Sequence, residues 1–171
     1  SPVALFVILG YSFTKRFTAL CHLILGLGLA LAPIGAYLAV SGEFNIIPLL
    51  FSAAVLFWVS GFDIIYSLQD QEFDKEQKLH SVPVLIGTKN ALNLSKLLHF
   101  FTFSSLSIAG SLGDFSLYYW IGFGIFTALL IYQHLLVKHN DLSKINLAFF
   151  TTNGIASVIY GIFVITDLLI Q

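Results

Sequence analysis

The sequence predicts an all-α integral membrane protein built as a multi-span helical bundle, and two observations support this. The 171 residues are 57% hydrophobic and only 10% charged, whereas a soluble domain carries about 25% charged residues. Apolar runs long enough to cross a bilayer, which takes about 20 residues, lie near 20–40, 46–69, 91–110, 115–137 and 145–170. Because a helix closes its own backbone hydrogen bonds in lipid and no run alternates with period two, helices are expected rather than a barrel.

The ends of the chain suggest part of a larger bundle. A shorter apolar run at 2–12 would reach only about half way across a bilayer at ~1.5 Å per residue, and the sequence contains no Met. We interpret residues 1–171 as a single transmembrane domain and a fragment of a longer protein, with a processed mature form as the alternative. The net charge of −1 lacks the basic footprint that nucleic-acid binding requires.

The basic residues orient the predicted spans. All eight lie in or beside three connections: Lys15, Arg16, Lys75, Lys78, Lys89, Lys96, Lys138 and Lys144. The intervening connections carry Glu43 and Asp114 and no basic residue. This segregation is typical of the positive-inside rule, and it predicts that the loops at 12–19, 70–90 and 138–144 face the cytoplasm.

The longest and most charged connection, 70–90, contains the main candidate site. If the second full span continues into it as one helix, Asp63, Tyr66, Asp70 and Asp74 share one face, at offsets of three, four and four residues. Asp70 and Asp74 would lie one turn apart near the membrane surface, with Asp63 about 10 Å deeper.

Two carboxylates one turn apart repel each other unless a cation lies between them. Hard oxygen ligands suit Mg²⁺, which commonly takes one or two carboxylates and completes its shell with water and substrate phosphate. An ionisable residue inside a span, such as Asp63, marks function by default. The alternative is that Asp70 and Asp74, with Glu72, form an ordinary solvated loop face.

Several other residues have both a functional and a structural interpretation. Lys15 and Arg16 lie level with the acidic residues and could bind a diphosphate, although their spacing alone favours a role as topology anchors. His22 and Asn153 lie in spans, where polar side chains usually bond to neighbouring helices, so we expect structural roles for them. Gly26 and Gly28 follow no strand and are expected to allow close helix packing.

Two segments together resemble a known family. The pattern Asp63-x-x-Tyr66-x-x-x-Asp70-x-x-x-Asp74 is similar to the second aspartate-rich motif of the UbiA family of membrane prenyltransferases. The stretch at 11–18, with Lys15 and Arg16, resembles the family's Y-x-x-x-K-R-[FY]-T segment after its fourth span. By this resemblance the chain runs from the end of span four through span nine, and Asn153-Gly154 matches an Asn-rich patch in the last span.

The resemblance implies a nine-span UbiA-type helical bundle and a chemistry. That chemistry is Mg²⁺-dependent transfer of a prenyl group from a polyprenyl diphosphate to an aromatic acid or other quinone precursor, in ubiquinone or menaquinone biosynthesis. It implies metal binding by Asp70 and Asp74, diphosphate binding by Lys15 and Arg16, and catalytic roles for Asp63 and Tyr66. The family's first motif, N-D-x-x-D-x-x-x-D, is absent, so this chain alone is expected to be inactive.

The acceptor and the cellular location follow less directly. Members that use 4-hydroxybenzoate carry Lys-Ser-Thr after the motif, whereas this sequence reads His80-Ser81-Val82-Pro83, a departure that leaves the acceptor open. The resemblance implies a bacterial inner membrane, with the active site facing the cytoplasm.

The sequence fits other classes of membrane protein less well. CDP-alcohol phosphotransferases need an Asp-Gly…Ala-Arg element that does not occur here. An ion-coupled transporter using Asp63, or a non-catalytic membrane protein, stays open as the alternative, although the sequence lacks the inverted repeats that mark many transporters.

Overall fold

The computed structural model describes Leu5, Gly10 and residues 13–170. The half-span predicted at 2–12 lies outside these residues except for Leu5 and Gly10, as do Tyr11 and Ser12. The structure is 83% helical and has no strands in the part described. The predicted all-α fold is therefore confirmed.

Six α-helices follow one another in the described part of the chain from residue 21 onward. They are α1 (Cys21–Ser41), α2 (Ile46–Ser67), α3 (Gln71–Glu76), α4 (Val82–Leu112), α5 (Leu117–Leu136) and α6 (Asn153–Ile170). A 3₁₀ turn, Leu68–Asp70, separates α2 from α3, and a π-helical segment, Leu147–Thr152, leads into α6. The helices thus lie close to the apolar runs of the sequence.

Among the residues that the structure describes, four segments are long and apolar enough to cross a membrane: Cys21–Ser41, Ile46–Glu76, Leu117–Leu136 and Leu147–Ile170. Helix α4 is as long as the longest of these but more polar, since it contains Ser95, Lys96, His99 and Thr102. Ser95 donates to the carbonyl of Gly61 on α2, at 2.7 Å, and His99 and Thr102 are also buried. Some polar side chains of α4 are therefore buried in its contact with α2. That residues 91–110 of α4 span the membrane stays a prediction.

Helix α2 is the centre of the bundle and packs closely against both α1 and α4. Glycines make this proximity possible. A Cβ on Gly26 of α1 would lie 2.5 Å from the Leu56 carbonyl oxygen, and one on Gly61 of α2 would lie 2.5 Å from the His99 ring. Such distances are far inside van der Waals contact, so the packing role expected for Gly26 is confirmed.

The connection from α3 to α4 is fixed to the segment that precedes α1. The backbone N–H of His80 donates to the Lys15 carbonyl at 2.7 Å. Gln71 donates to the Pro83 carbonyl at 2.9 Å and accepts from Thr88 at 2.8 Å. Helix α4 bends at Gly87, whose φ of 78° is left-handed and is readily adopted only by glycine. These contacts hold the start of α1, the end of α2 and the start of α4 together around one cavity.

Candidate functional site

A cavity of about 280 Å³ opens between the start of α1 and the end of α2. Its lining combines two carboxylates with a cation, an imidazole, a phenol and two small polar groups. These residues are Lys15, Cys21, His22, Asp63, Tyr66, Ser67 and Asp70. The cavity therefore brings together four of the six residues that the sequence singled out, namely Lys15, Asp63, Tyr66 and Asp70.

Asp63 is held by His22 of α1. Its Oδ2 lies 2.6 Å from His22 Nδ1, and its side chain is 22% exposed. The backbone N–H of Val82 donates to His22 Nε2 at 3.3 Å. Because a backbone N–H can only donate, Nε2 carries no proton and Nδ1–H must be the donor to Asp63. The imidazole thus connects the carboxylate to the first residue of α4.

Asp74 does not line the cavity itself but pairs with Lys15, which does. Its side chain is completely buried, and its Oδ1 is 2.8 Å from Lys15 Nζ. Among the described residues neither carboxylate oxygen of Asp74 has a partner with hydrogen-bond geometry, so the ion pair with Lys15 is its main compensation for burial. The structure therefore places Asp74 against a lysine, whereas the sequence placed it beside a metal ion.

Asp70 is half-buried and lines the cavity. It is the last residue of the 3₁₀ turn, in which each residue advances about 120° rather than about 100°. The turn therefore slightly changes the helical phase between α2 and α3. Asp74 still contacts Lys15 of the same cavity, so the grouping of the four residues on one face stays a prediction, while Asp70 and Asp74 differ in burial.

Arg16 and Lys15 are adjacent in sequence, but their side chains line different cavities. Arg16 lines its cavity with Phe73, Gln77, Lys78 and Leu79, and its guanidinium lies 5.9 Å from the centre of the Phe13 ring. Lys15 alone of the two predicted diphosphate ligands lines the cavity of Asp63 and Asp70.

Tyr66 is positioned by aromatic contacts with the π-helical segment before α6. Its ring stacks on Phe149 with centroids 4.0 Å apart and meets Phe150 edge-on at 5.9 Å. π-Helical turns occur often at functional sites, and here the segment places two aromatic rings beside a residue of the cavity. An electron-rich ring surface is thus fixed next to Asp63 and Asp70.

The donor set partly fits a hard divalent cation. Asp70 offers carboxylate oxygens to the cavity, and Mg²⁺ usually takes one or two carboxylates and fills its shell with water and phosphate oxygens. No group of three or more His, Cys, Asp or Glu side chains with metal-binding geometry occurs among the residues described. The residues therefore fit a cation held largely by a phosphate ligand, and Asp74 could join only if its pair with Lys15 opened.

Sequence reasoning missed part of this site. His22 was expected to be structural, and no feature of its spacing links it to Asp63, which is 41 residues away. The only available signal was that both residues are polar within predicted spans. Cys21 and Ser67 line the cavity without any sequence signal.

The site thus combines carboxylates, a lysine and an aromatic cluster around one cavity of a helical bundle whose segments are long and apolar enough to span a membrane. The chain belongs to the UbiA prenyltransferase family, whose model matches residues 1–155.

The chain is similar to 4-hydroxybenzoate octaprenyltransferase from Francisella tularensis subsp. mediasiatica, with 32% identity over 96% of the chain and 58% of that protein. It is 29% identical to the enzyme of the same name from Tolumonas auensis, over 88% of the chain and 52% of that protein. The apo structure of a UbiA homolog from Aeropyrum pernix K1 matches 98% of the chain and 62% of that protein, with 28% identity and a TM-score of 0.86. The chain thus spans a little over half the length of the curated relatives it matches.

Proposed function

We propose that this chain, within a protein of its relatives' full length, transfers a prenyl group from a polyprenyl diphosphate to an aromatic acceptor. The acceptor is 4-hydroxybenzoate or a related quinone precursor. The observation that carries the proposal is the single cavity that brings Asp63, Tyr66, Asp70 and Lys15 together. The names of the relatives support the substrate classes.

The charges of the cavity suit a diphosphate that arrives with a divalent cation. Asp70 would hold the cation together with phosphate oxygens. A bound Mg²⁺ would neutralise negative charge on the leaving diphosphate. Lys15 adds a second positive charge, shared with Asp74, at the same cavity. Arg16 would take part only by reaching the diphosphate from its neighbouring cavity.

The bonding changes follow electrophilic aromatic substitution. The allylic C–O bond breaks and its electron pair leaves with the diphosphate. The aromatic acceptor then forms a C–C bond to the allylic carbon and loses its ring proton. Asp63, which His22 contacts at 2.6 Å, would accept that proton as a general base. Tyr66, held by Phe149, offers a π-face to the allylic cation.

Relatives that span more residues than this chain suggest that it supplies only part of the pocket. A site open on one side would admit water, which would quench an allylic cation. We therefore propose that the 171 residues alone are inactive. The alternatives, a transporter that uses Asp63 or a non-catalytic membrane protein, are less well supported.

The test is turnover by the full-length protein in defined lipid. We expect prenylated product from a polyprenyl diphosphate and 4-hydroxybenzoate only when Mg²⁺ is present, and a loss of about 100-fold or more in Asp70→Ala, since charge stabilisation at a leaving group is a large term. Glu76→Ala is the matched control, because Glu76 is exposed and lies outside the cavity. Unchanged turnover in Asp70→Ala, or no transfer to any aromatic acid, would contradict the proposal.

A further inference from the structure

A second candidate binding site lies between α4 and α5, which touch each other far less than α4 touches α2 or α5 touches α6. The space between them forms an apolar groove of about 450 Å³. We call it the α4–α5 groove and define it by Phe100, Phe103, Thr127, Leu130, Ile131 and Leu135. It shares no lining residue with the cavity of Asp63 and Asp70.

The groove opens at one end into a polar pocket of about 430 Å³, which we call the basic mouth. The cationic residues of the mouth are Lys89, Lys96 and Lys138. Lys96 and His134 line both the groove and the mouth, so the apolar and cationic parts are continuous. No Asp or Glu lines either part, and among the described residues no ion pair involves these three lysines.

Two histidines form a hydrogen bond across the groove. His99 Nε2 lies 3.3 Å from the Trp58 carbonyl oxygen, and His99 Nδ1 lies 2.8 Å from His134 Nε2. Since a carbonyl only accepts, His99 donates through Nε2, and the bond between the two imidazoles uses its Nδ1. The three lysines are the permanently charged groups that line the mouth.

We infer that the α4–α5 groove and the basic mouth bind an anionic glycerophospholipid. One acyl chain would lie along the apolar groove, and the phosphate would meet the lysines at the membrane surface, where each basic residue attracts anionic lipid. Lysine stems can follow apolar surface while their ammonium groups reach the polar region, which suits Lys96 at the junction. Ile131 and Phe100 are 58% and 59% exposed, so the groove is accessible from the side.

A prenyl diphosphate has similar chemistry but fits this place less well. Diphosphate sites typically need a divalent cation held by carboxylates. No carboxylate lines the groove or the mouth. A phosphodiester carries a single negative charge that lysines alone can balance. The inference does not depend on the proposed function, because it uses none of the residues of the first cavity.

The test is lipid retention by the full-length protein, measured by native mass spectrometry after release from nanodiscs containing phosphatidylglycerol and phosphatidylcholine. We expect retained phosphatidylglycerol to fall about tenfold or more in the triple variant Lys89→Gln/Lys96→Gln/Lys138→Gln, because each basic residue near the surface contributes to anionic lipid binding. The control, Lys75→Gln/Lys78→Gln/Lys144→Gln, removes the same charge outside the mouth and should retain the lipid. Equal retention in the two triple variants would overturn the inference, as would displacement of the lipid by farnesyl diphosphate.

A second measurement locates the lipid. Bimane attached at Ile131→Cys should be quenched more by brominated phosphatidylglycerol than by brominated phosphatidylcholine, and this difference should vanish in the triple variant of the mouth. Cys21 is buried and contributes little labelling. An absence of quenching by either lipid would show that protein covers the groove and would overturn the inference.

Discussion

At the scale of single residues, the three aspartates of the motif have three different environments. Asp63 is paired with His22, Asp70 faces the cavity, and Asp74 is buried against Lys15. The sequence placed all three on one face, with Asp63 deeper than the other two. Because each aspartate has a different environment, we expect substitution of each to affect stability and activity differently.

Lys15→Met should destabilise the protein, because it leaves the carboxylate of Asp74 buried without a counter-charge. Breaking a buried ion pair in this way typically costs about 3–5 kcal/mol. Thermal unfolding in detergent should show a large fall in midpoint for Lys15→Met and little change for Arg16→Gln, whose side chain is exposed. The double variant Lys15→Met/Asp74→Leu should recover most of the loss; a double variant no more stable than Lys15→Met would argue against the pair.

His22→Ala should slow prenyl transfer by about 100-fold, since small misplacements of a catalytic group have effects of that size. The hydrogen bond from His22 fixes Asp63, and its removal leaves the carboxylate free to rotate. We expect the loss in kcat rather than in KM for the diphosphate, because Asp70 and Lys15 are unchanged. His139→Ala is the control, since His139 is exposed in the loop after α5. Equal kcat values in both variants would assign His22 a structural role only.

At the scale of elements, the apolar runs predicted the helices well because burial in lipid imposes one continuous apolar segment per span. The break at Leu68–Asp70 could not be predicted, since no Gly or Pro marks it. Polar residues of α4 also obscured its boundaries: the predicted run began at residue 91, whereas the helix begins at Val82. The positions of such breaks depend on contacts with other helices, which one sequence does not contain.

The start of α5 depends on a carboxylate from α6. Asp167 is fully buried, and its oxygens accept from the backbone N–H groups of Ser116 and Tyr119 at 2.9 and 3.1 Å and from the Ser116 hydroxyl. An anion at a helix N-terminus also interacts favourably with the helix dipole.

Asp167→Ala should therefore lower the free energy of unfolding by about 2 kcal/mol or more, because buried donors lose a charged acceptor. Asp167→Asn, which keeps one acceptor, should lose less. Glu43→Ala, at an exposed loop position, provides the control in the same unfolding assay. A fall for Asp167→Ala no larger than that for Glu43→Ala would contradict this role.

At the scale of the whole molecule, the sequence was sufficient for the fold and the family but not for the site's geometry. Composition and the spacing of Asp63, Tyr66, Asp70 and Asp74 identified the region of the cavity. The partnership of His22 with Asp63 and the separation of Arg16 from Lys15 depend on how helices rotate against one another. A periodic pattern does not fix that rotation.

The orientation in the membrane stays a prediction of the basic residues. Cysteines introduced at Gln77 and Asn140 should react only with a reagent applied from the cytoplasmic side, and one at Glu43 only from the other side, because basic loops remain in the cytoplasm. All three positions are exposed. Labelling of position 77 from outside would show that the topology is the inverse of the prediction and that the cavity does not face cytoplasmic substrates.

The central claim is that the cavity of Asp63 and Asp70 receives the prenyl diphosphate. The most direct test is photo-crosslinking of the full-length protein with a benzophenone-bearing prenyl diphosphate, followed by peptide mapping. The account predicts Mg²⁺-dependent labelling of residues at 63–74 or 145–152, and loss of that labelling in Asp70→Ala but not in Glu76→Ala. Labelling concentrated at Phe100 or Ile131 of the α4–α5 groove, or labelling indifferent to both Mg²⁺ and Asp70, would contradict it.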